Sequence, residues 1–172
     1  MTGHLGLGSN LGDRRANLQA AVDALAAAGV AATASSSTYE TDPVGDVRDQ
    51  PAFLNAAVAI ETALDPEALL DAAKGVEAAL GRQTDPEAAD YVRHGPRPID
   101  VDVLLLGDVA HRSERLAVPH AALLERRFAL IPLLELDFAL RTPDGTRLSD
   151  VLAALPVAEG VRRVGDPLVL PG

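Results

Sequence analysis

From Phe53 to Thr62 the side chains alternate with a period of two. Leu54, Ala56, Val58 and Ile60 fall on one face, and Phe53, Asn55, Ala57 and Ala59 on the other, which predicts a strand. His4 to Gly8 alternates small and apolar residues and predicts a shorter first strand. Between them, Leu18, Ala21, Val22 and Leu25 recur at helical spacing, with Asp13 placed to cap the start and Gly29 to end the helix. Residues 30–39, rich in Val, Thr, Ser and Tyr, predict a second strand. Thr41 to Pro51 holds two prolines, a glycine and three aspartates and predicts a loop. Asp65-Pro66 then opens a second helix with the stripe Leu69, Leu70, Ala73, Val76 and Leu80, ended by Gly81. A polar stretch, Arg82 to Arg97, leads into the most apolar strand, Ile99 to Leu106. Two short segments follow, then a helical turn near 121–125, an apolar run Phe128 to Leu136 and a small helix near 148–154; the tail from Pro156 carries no pattern. The order β-α-β-β-α-β with C-terminal additions predicts an α+β, ferredoxin-like core, an antiparallel sheet packed with helices.

Composition narrows the function. The 172 residues suit one domain, 1–172, and 48% are hydrophobic, enough for a core. There is no cysteine, which excludes disulfides and thiolate chemistry. Without a basic-then-apolar leader or an apolar run near ~20 residues, the expectation is a cytoplasmic protein with no membrane association. The net charge of −10 argues against nucleic acid as a partner. The charge is uneven, however: residues 82–127 hold seven arginines against eight acids, so an anionic ligand is least repelled there.

That stretch contains the sharpest motif, Arg93-His94-Gly95-Pro96-Arg97-Pro98-Ile99-Asp100-Val101-Asp102-Val103-Leu104. Two residues apart on a strand, Asp100 and Asp102 project from one face, while Val101, Val103 and Leu105 are expected to point into the core. Adjacent carboxylates repel unless a cation lies between them, and paired hard oxygens with room for water and phosphate suit magnesium. Arg97 can reach the same phosphates. Taken singly, other residues have ordinary readings: His120 as a capping histidine, Arg126 and Arg127 as a solvated pair, Arg82 as a complement to a helix C-terminus. Together they supply forked donors for a polyphosphate. Phe53 and Asn55, on one strand face, offer an aromatic and an amide to a flat hydrogen-bonding heterocycle. No phosphate-binding P-loop, dinucleotide fingerprint or protein-kinase motif set is present in the sequence.

Six blocks in order carry a family resemblance. They are Gly8-Ser9-Asn10-Leu11-Gly12, Gln50 to Val58, Glu77 with Gly81-Arg82, the 93–104 motif, Arg115 to His120, and Arg126-Arg127-Phe128. The sequence resembles the 6-hydroxymethyl-7,8-dihydropterin pyrophosphokinases of folate biosynthesis. The resemblance implies an ATP-dependent diphosphotransferase that moves the β,γ-diphosphate of ATP to the pterin hydroxymethyl and leaves AMP. It implies two Mg²⁺ ions held by Asp100 and Asp102, and catalysis by that pair with Arg82 and Arg97. For ATP it implies Lys74, Glu77, Arg82, Arg93, Arg97, Arg115, His120 and Arg126. For the pterin it implies Thr41, Pro43, Val44, Phe53, Asn55, Asp100 and Phe128, with the two phenylalanines sandwiching the ring. ATP and the pterin are the expected partners of a monomer. The sequence departs from the family pattern in the loop Gln83 to Val92, which carries Asp85, Glu87 and Asp90 and no base; this leaves Arg82, Arg93 and Arg97 to close on phosphate. A nucleotidyltransferase, releasing pyrophosphate, and a non-catalytic nucleotide or pterin sensor are the competing readings.

Overall fold

The computed structural model describes residues 1–42, 50–82, 87–89, 96–157 and 160–171. Its elements are β1 (Thr2–Ser9), α1 (Arg14–Ala27), β2 (Val30–Ser35), β3 (Thr38–Thr41), β4 (Phe53–Thr62), α2 (Pro66–Ala79) and β5 (Asp100–Leu105). Then come β6 (His111–Arg112), β7 (Ala117–Val118), a 3-10 turn (Leu123–Glu125), α3 (Arg127–Leu136), α4 (Leu148–Ala154) and β8 (Val161–Gly165). The main sheet runs β5-β1-β4-β3-β8. It is antiparallel throughout, and β2 pairs with the far half of β4. With β2 and β3 as two pieces of one strand beside β4, this is the α+β, ferredoxin-like βαββαβ arrangement with C-terminal additions. Among the described residues no helix is long and apolar enough to cross a membrane.

The local signals work as expected at the helix starts. The Asp13 carboxylate accepts from Ala16 N–H at 3.1 Å and the Asp65 carboxylate from Ala68 N–H at 2.8 Å. α2 ends where Gly81 takes φ +94°, a left-handed conformation that glycine adopts without strain. The period of two sorts β4 as the sequence predicts. Leu54, Val58 and Ile60 join a core with Leu18, Val22, Leu69 and Val76 beneath α1 and α2. Ala57 faces a second core formed with Leu104, Leu123, Leu130 and Leu133, so the apolar run after Phe128 becomes α3 on the opposite face of the sheet. α3 and α4 cover only part of that face, and the uncovered end carries Phe53, Asn55, Asp100 and Asp102.

Three expectations need correction. The strand expected over 30–39 is two strands, because serine hydroxyls interrupt the ladder: Ser36 Oγ accepts from Ala57 N–H at 2.9 Å and donates to Ser37 C=O at 2.7 Å. Leu105 does not share the face of Val101 and Val103. The register slips opposite His4 and Leu5, whose partners are Leu105 and Val103, and this bulge turns Leu105 to the α3 side and Leu106 to the other. The patternless tail is structured. β8 adds to β3, Leu168 is buried in the first core, and Arg15 donates to the carbonyls of Asp166 and Pro167 at 2.8 and 3.0 Å. Sequence periodicity is blind to such an edge strand, since Arg162, Arg163 and Val164 are all exposed and no alternation marks a buried face.

Glu135 pins α3 to β3. Ser37 N–H and Oγ–H donate to Oε2 at 2.8 and 3.0 Å, and the Tyr39 hydroxyl donates to Oε1. Burial works to raise the Glu135 carboxyl, but the bonds from Tyr39 and Ser37 prevail and hold it below its ordinary 4.5. Burial, then the bond and charge of Glu135, push the Tyr39 hydroxyl up to about 12. Glu135→Gln is therefore expected to cost about 1 kcal/mol at pH 7. Because the native value is the depressed one, this advantage of the wild type is present above pH 4.5 and fades as the pH falls through the native value. Urea unfolding of both proteins at pH 7 and pH 3 checks it; an equal gap at both would show that the charge plays no part.

Candidate active site

The uncovered end of the sheet forms a cavity of about 290 Å³, lined by Thr41, Asp42, Phe53, Asn55, Arg82, Arg97, Asp100, Asp102, His120, Arg126 and Phe128. A second, of about 200 Å³, lies against the outer edge of β5 and is lined by Lys74 and Leu70 of α2 and by Arg115, Leu116 and Ala117 beside β7. Asp102 and His120 line both. The two cavities therefore meet at one carboxylate and one imidazole.

Each acid has its own cations. Asp100 accepts from Arg82 at 2.7 Å and lies 3.9 Å from Arg97 Nε. Among the described residues Asp102 has only longer contacts, 4.0 Å to His120 Nε2 and 4.0 Å to Arg126. The consequences are opposite. Burial would raise Asp100, but Arg82 and Arg97 override it and keep the carboxyl below its usual value. Burial, with the charge of Asp100 added, pushes Asp102 up to about 7. Ala122 N–H donates to His120 Nδ1 at 3.1 Å, which leaves the proton on Nε2, the nitrogen facing Asp102. Burial and then Arg126 lower the His120 value, so the ring is neutral at pH 7. Among the described residues Arg97 Nε is buried without a hydrogen-bond partner, and its guanidinium lies 5.3 Å from the centre of the Phe53 ring. Arg126 stands likewise 5.4 Å from the Phe128 ring.

Residues 4–138 match the family profile of 7,8-dihydro-6-hydroxymethylpterin-pyrophosphokinase (HPPK). The chain belongs to this family. A 2-amino-4-hydroxy-6-hydroxymethyldihydropteridine pyrophosphokinase of Methylorubrum extorquens is 45% identical over 94% of this chain and 97% of its own length. One from Pseudomonas aeruginosa is 41% identical over 94% and 95%, and one from Bacillus subtilis 46% identical over 77% and 76%. A crystal structure of HPPK-DHPS in complex with substrates superposes with a TM-score of 0.67 over 89% of this chain at 12% identity; the chain spans 43% of that longer protein, and the likeness concerns the fold.

Of the residues that the HPPK resemblance singles out, Arg82, Arg97, Asp100, Asp102, Thr41, Phe53, Asn55, Phe128, His120 and Arg126 line the first cavity. Lys74 and Arg115 line the second. Pro43, Val44 and Arg93, with most of the 83–92 loop, lie outside the described residues. Two of these residues have partners that the sequence did not show. Glu77 is wholly buried and lines neither cavity. Its carboxylate instead accepts from Val101 N–H at 2.9 Å and from Arg82, with Lys74 Nζ 3.2 Å away, so it reaches the site through Arg82. Burial raises its carboxyl nonetheless. Arg115 is turned onto Asp71, with Glu67 3.9 Å away.

Three site residues escaped the sequence reading of roles: Asp42, Gly8 and Asn10. Asp42 sits in a loop rich in aspartate and nothing distinguishes it there. Gly8 is legible only through its neighbours, because a Cβ there would stand 2.8 Å from Asn55 Oδ1 and 3.6 Å from the Phe53 ring. Asn55 also donates to Thr41 Oγ1 at 2.6 Å and has little room to retreat. Gly8→Ala is expected to raise the KM for the ring-bearing substrate about tenfold, the ~1.4 kcal/mol of one disturbed amide contact, with the KM for ATP unmoved. Steady-state kinetics with each substrate varied checks this; equal rises in both KM values would contradict it.

Proposed function

We propose that residues 1–172 act as one domain, a cytoplasmic monomer that transfers the β,γ-diphosphate of ATP to the hydroxymethyl group of 6-hydroxymethyl-7,8-dihydropterin in folate biosynthesis. The hydroxyl oxygen forms a bond to the β-phosphorus. The bond from that phosphorus to the oxygen bridging the α-phosphate breaks, AMP leaves with that oxygen, and the hydroxyl proton is released. The observation that carries this reading is the pair of cavities sharing Asp102 and His120: one offers aromatic rings, an amide and a threonine, the other a lysine and an arginine. A bicyclic heterocycle suits the first and a nucleotide the second, with the phosphates at the junction.

The donor set fits divalent cations, and magnesium is the natural choice for paired carboxylates beside phosphate. Asp102, carrying a charge that burial and Asp100 both oppose, is a ligand that a cation would relieve. Among the described residues no three His, Cys, Asp or Glu side chains are grouped around one point; with the two Mg²⁺ ions that the family resemblance implies, Asp100 and Asp102 would supply the protein's ligands, and water and phosphate oxygens the rest. Bound there, the ions would neutralise phosphate charge and polarise the β-phosphorus. The protein's own part is binding and alignment. Arg82 and Arg97 grip the moving phosphates, and the unpartnered Arg97 Nε is a donor suited to one of their oxygens. Lys74, Arg115, His120 and Arg126 hold the nucleotide. Phe53 and Phe128 flank the pterin while Asn55 and Thr41 meet its polar edge, with Pro43, Val44 and Arg93 contributing from neighbouring segments. Rate comes from contacts that strengthen as charge moves to the leaving oxygen.

Incubation with ATP, Mg²⁺ and the reduced hydroxymethylpterin, followed by nucleotide chromatography, tests the reaction. Pterin-dependent AMP is the expected product. ADP would indicate single phosphoryl transfer, pyrophosphate a nucleotidyltransferase, and unchanged ATP a binding protein.

A further inference from the structure

Asn10 stands just past the end of β1, 1% exposed, and its hydrogen bonds join two parts of the site that are 40 or more residues apart in sequence. Its main-chain N–H donates to Arg97 C=O at 3.1 Å, and its Oδ1 accepts from Arg97 N–H at 2.8 Å. Its Nδ2 donates to Gln50 Oε1 at 2.7 Å and to Pro51 C=O at 3.2 Å. The amide orientation is forced, because Arg97 N–H can only donate and Pro51 C=O can only accept. One side chain therefore holds the backbone of Arg97 on one side, and on the other the residues that lead directly into Phe53 at the start of β4. Arg97 and Phe53 also meet through the guanidinium over the ring.

We infer that Asn10 is a positioning residue for the diphosphate transfer: it keeps the arginine that grips phosphate in register with the strand that holds the heterocycle. This inference rests on the functional reading above. In-line transfer needs the hydroxyl oxygen of a ring bound at Phe53 to face a phosphorus gripped near Arg97 and Asp100. A displacement of about 1 Å between such parts can cost on the order of 100-fold in rate. Asp lacks the donor for Pro51 C=O, and Ala or Leu lacks both functions. Asn10 lines neither cavity, so its effect passes through Arg97 and β4.

The test is steady-state kinetics of the full chain, wild type, Asn10→Ala, Gln50→Ala and the double variant, with AMP as the measured product and rates expressed per folded protein from circular-dichroism melts. Asn10→Ala is expected to lower kcat about 100-fold at saturating substrates. Gln50→Ala removes one of the two bonds from Asn10 toward β4 and leaves both bonds to Arg97; it is expected to raise the pterin KM several-fold while leaving the ATP KM within twofold. The double variant should be no worse than Asn10→Ala, since both changes break one network. A residue that merely stabilised the fold would lower the melting temperature and leave the kinetics of the folded fraction alone. Folded Asn10→Ala with kcat within threefold of wild type, or additive losses in the double variant, overturns the inference. If Asn10→Ala does not fold, Gln50→Ala decides: a rise confined to the pterin KM supports it, and equal or absent changes in the two KM values overturn it. No AMP from the wild type overturns the functional reading and this inference with it; AMP at the wild-type rate from folded Asn10→Ala overturns this inference alone.

Discussion

Asp102→Ala is expected to lower kcat by about a thousandfold or more and to leave the melting temperature no lower than that of the wild type. The two halves of this expectation have one cause. Asp102 lies where both cavities meet, with no cation closer than 4.0 Å among its ion pairs. Burial and the neighbouring Asp100 oppose its charged form strongly enough to push its carboxyl up to about 7. Above that pH, in a chelating buffer, the carboxylate costs the fold stability, and its removal relieves that cost. Among the described residues the acid has no close partner that explains its place, whereas the divalent cation proposed above would. Loss of a ligand to such a cation would remove several kcal/mol of transition-state stabilisation, and ~4 kcal/mol corresponds to about a thousandfold. Rates of AMP formation and melting curves with EDTA decide the matter. A folded variant that keeps more than about a tenth of the wild-type rate, under ~1.4 kcal/mol of barrier, would remove Asp102 from the chemistry.

Arg97→Lys is expected to lower kcat about 100-fold even though the charge is kept. The guanidinium of Arg97 spans two neighbours, with Nε 3.9 Å from Asp100 Oδ2 and the plane over the Phe53 ring. A lysine is a compact point charge that cannot stack and fork at once. Loss of one positioned donor to developing charge costs roughly 10²–10³. Arg82 is a poorer probe of the same grip. It is bonded to both Asp100 and the wholly buried Glu77, so Arg82→Ala would leave a buried carboxylate short of its main cation, at a stability cost of about 3 kcal/mol. Arg97→Lys avoids this, because Asp100 keeps Arg82. Single-turnover rates at saturating ATP and Mg²⁺ read the effect, and unchanged turnover would take Arg97 out of the phosphate grip.

Much of this protein is written in local pattern. Period-two alternation in β4 set which residues face the helices and which face the site, and caps at Asp13 and Asp65 with a stop at Gly81 placed α1 and α2. The spacing of Asp100 and Asp102 put two carboxylates on one face before any fold was known. These features are legible because backbone geometry enforces them within a few residues. Other features depend on partners far along the chain. The bulge that turns Leu105 exists only because β1 is the neighbour of β5. The edge strand β8 forms only because β3 offers an open side. Glu77 meets the site through Arg82, and Arg115, in the segment before β7, pairs with Asp71 of α2. The opposite shifts of Asp100 and Asp102, identical residues two apart, arise from which arginines the fold brings to each. Burial and charge act through space, so sequence can name the acids, and only the packed chain can tell them apart.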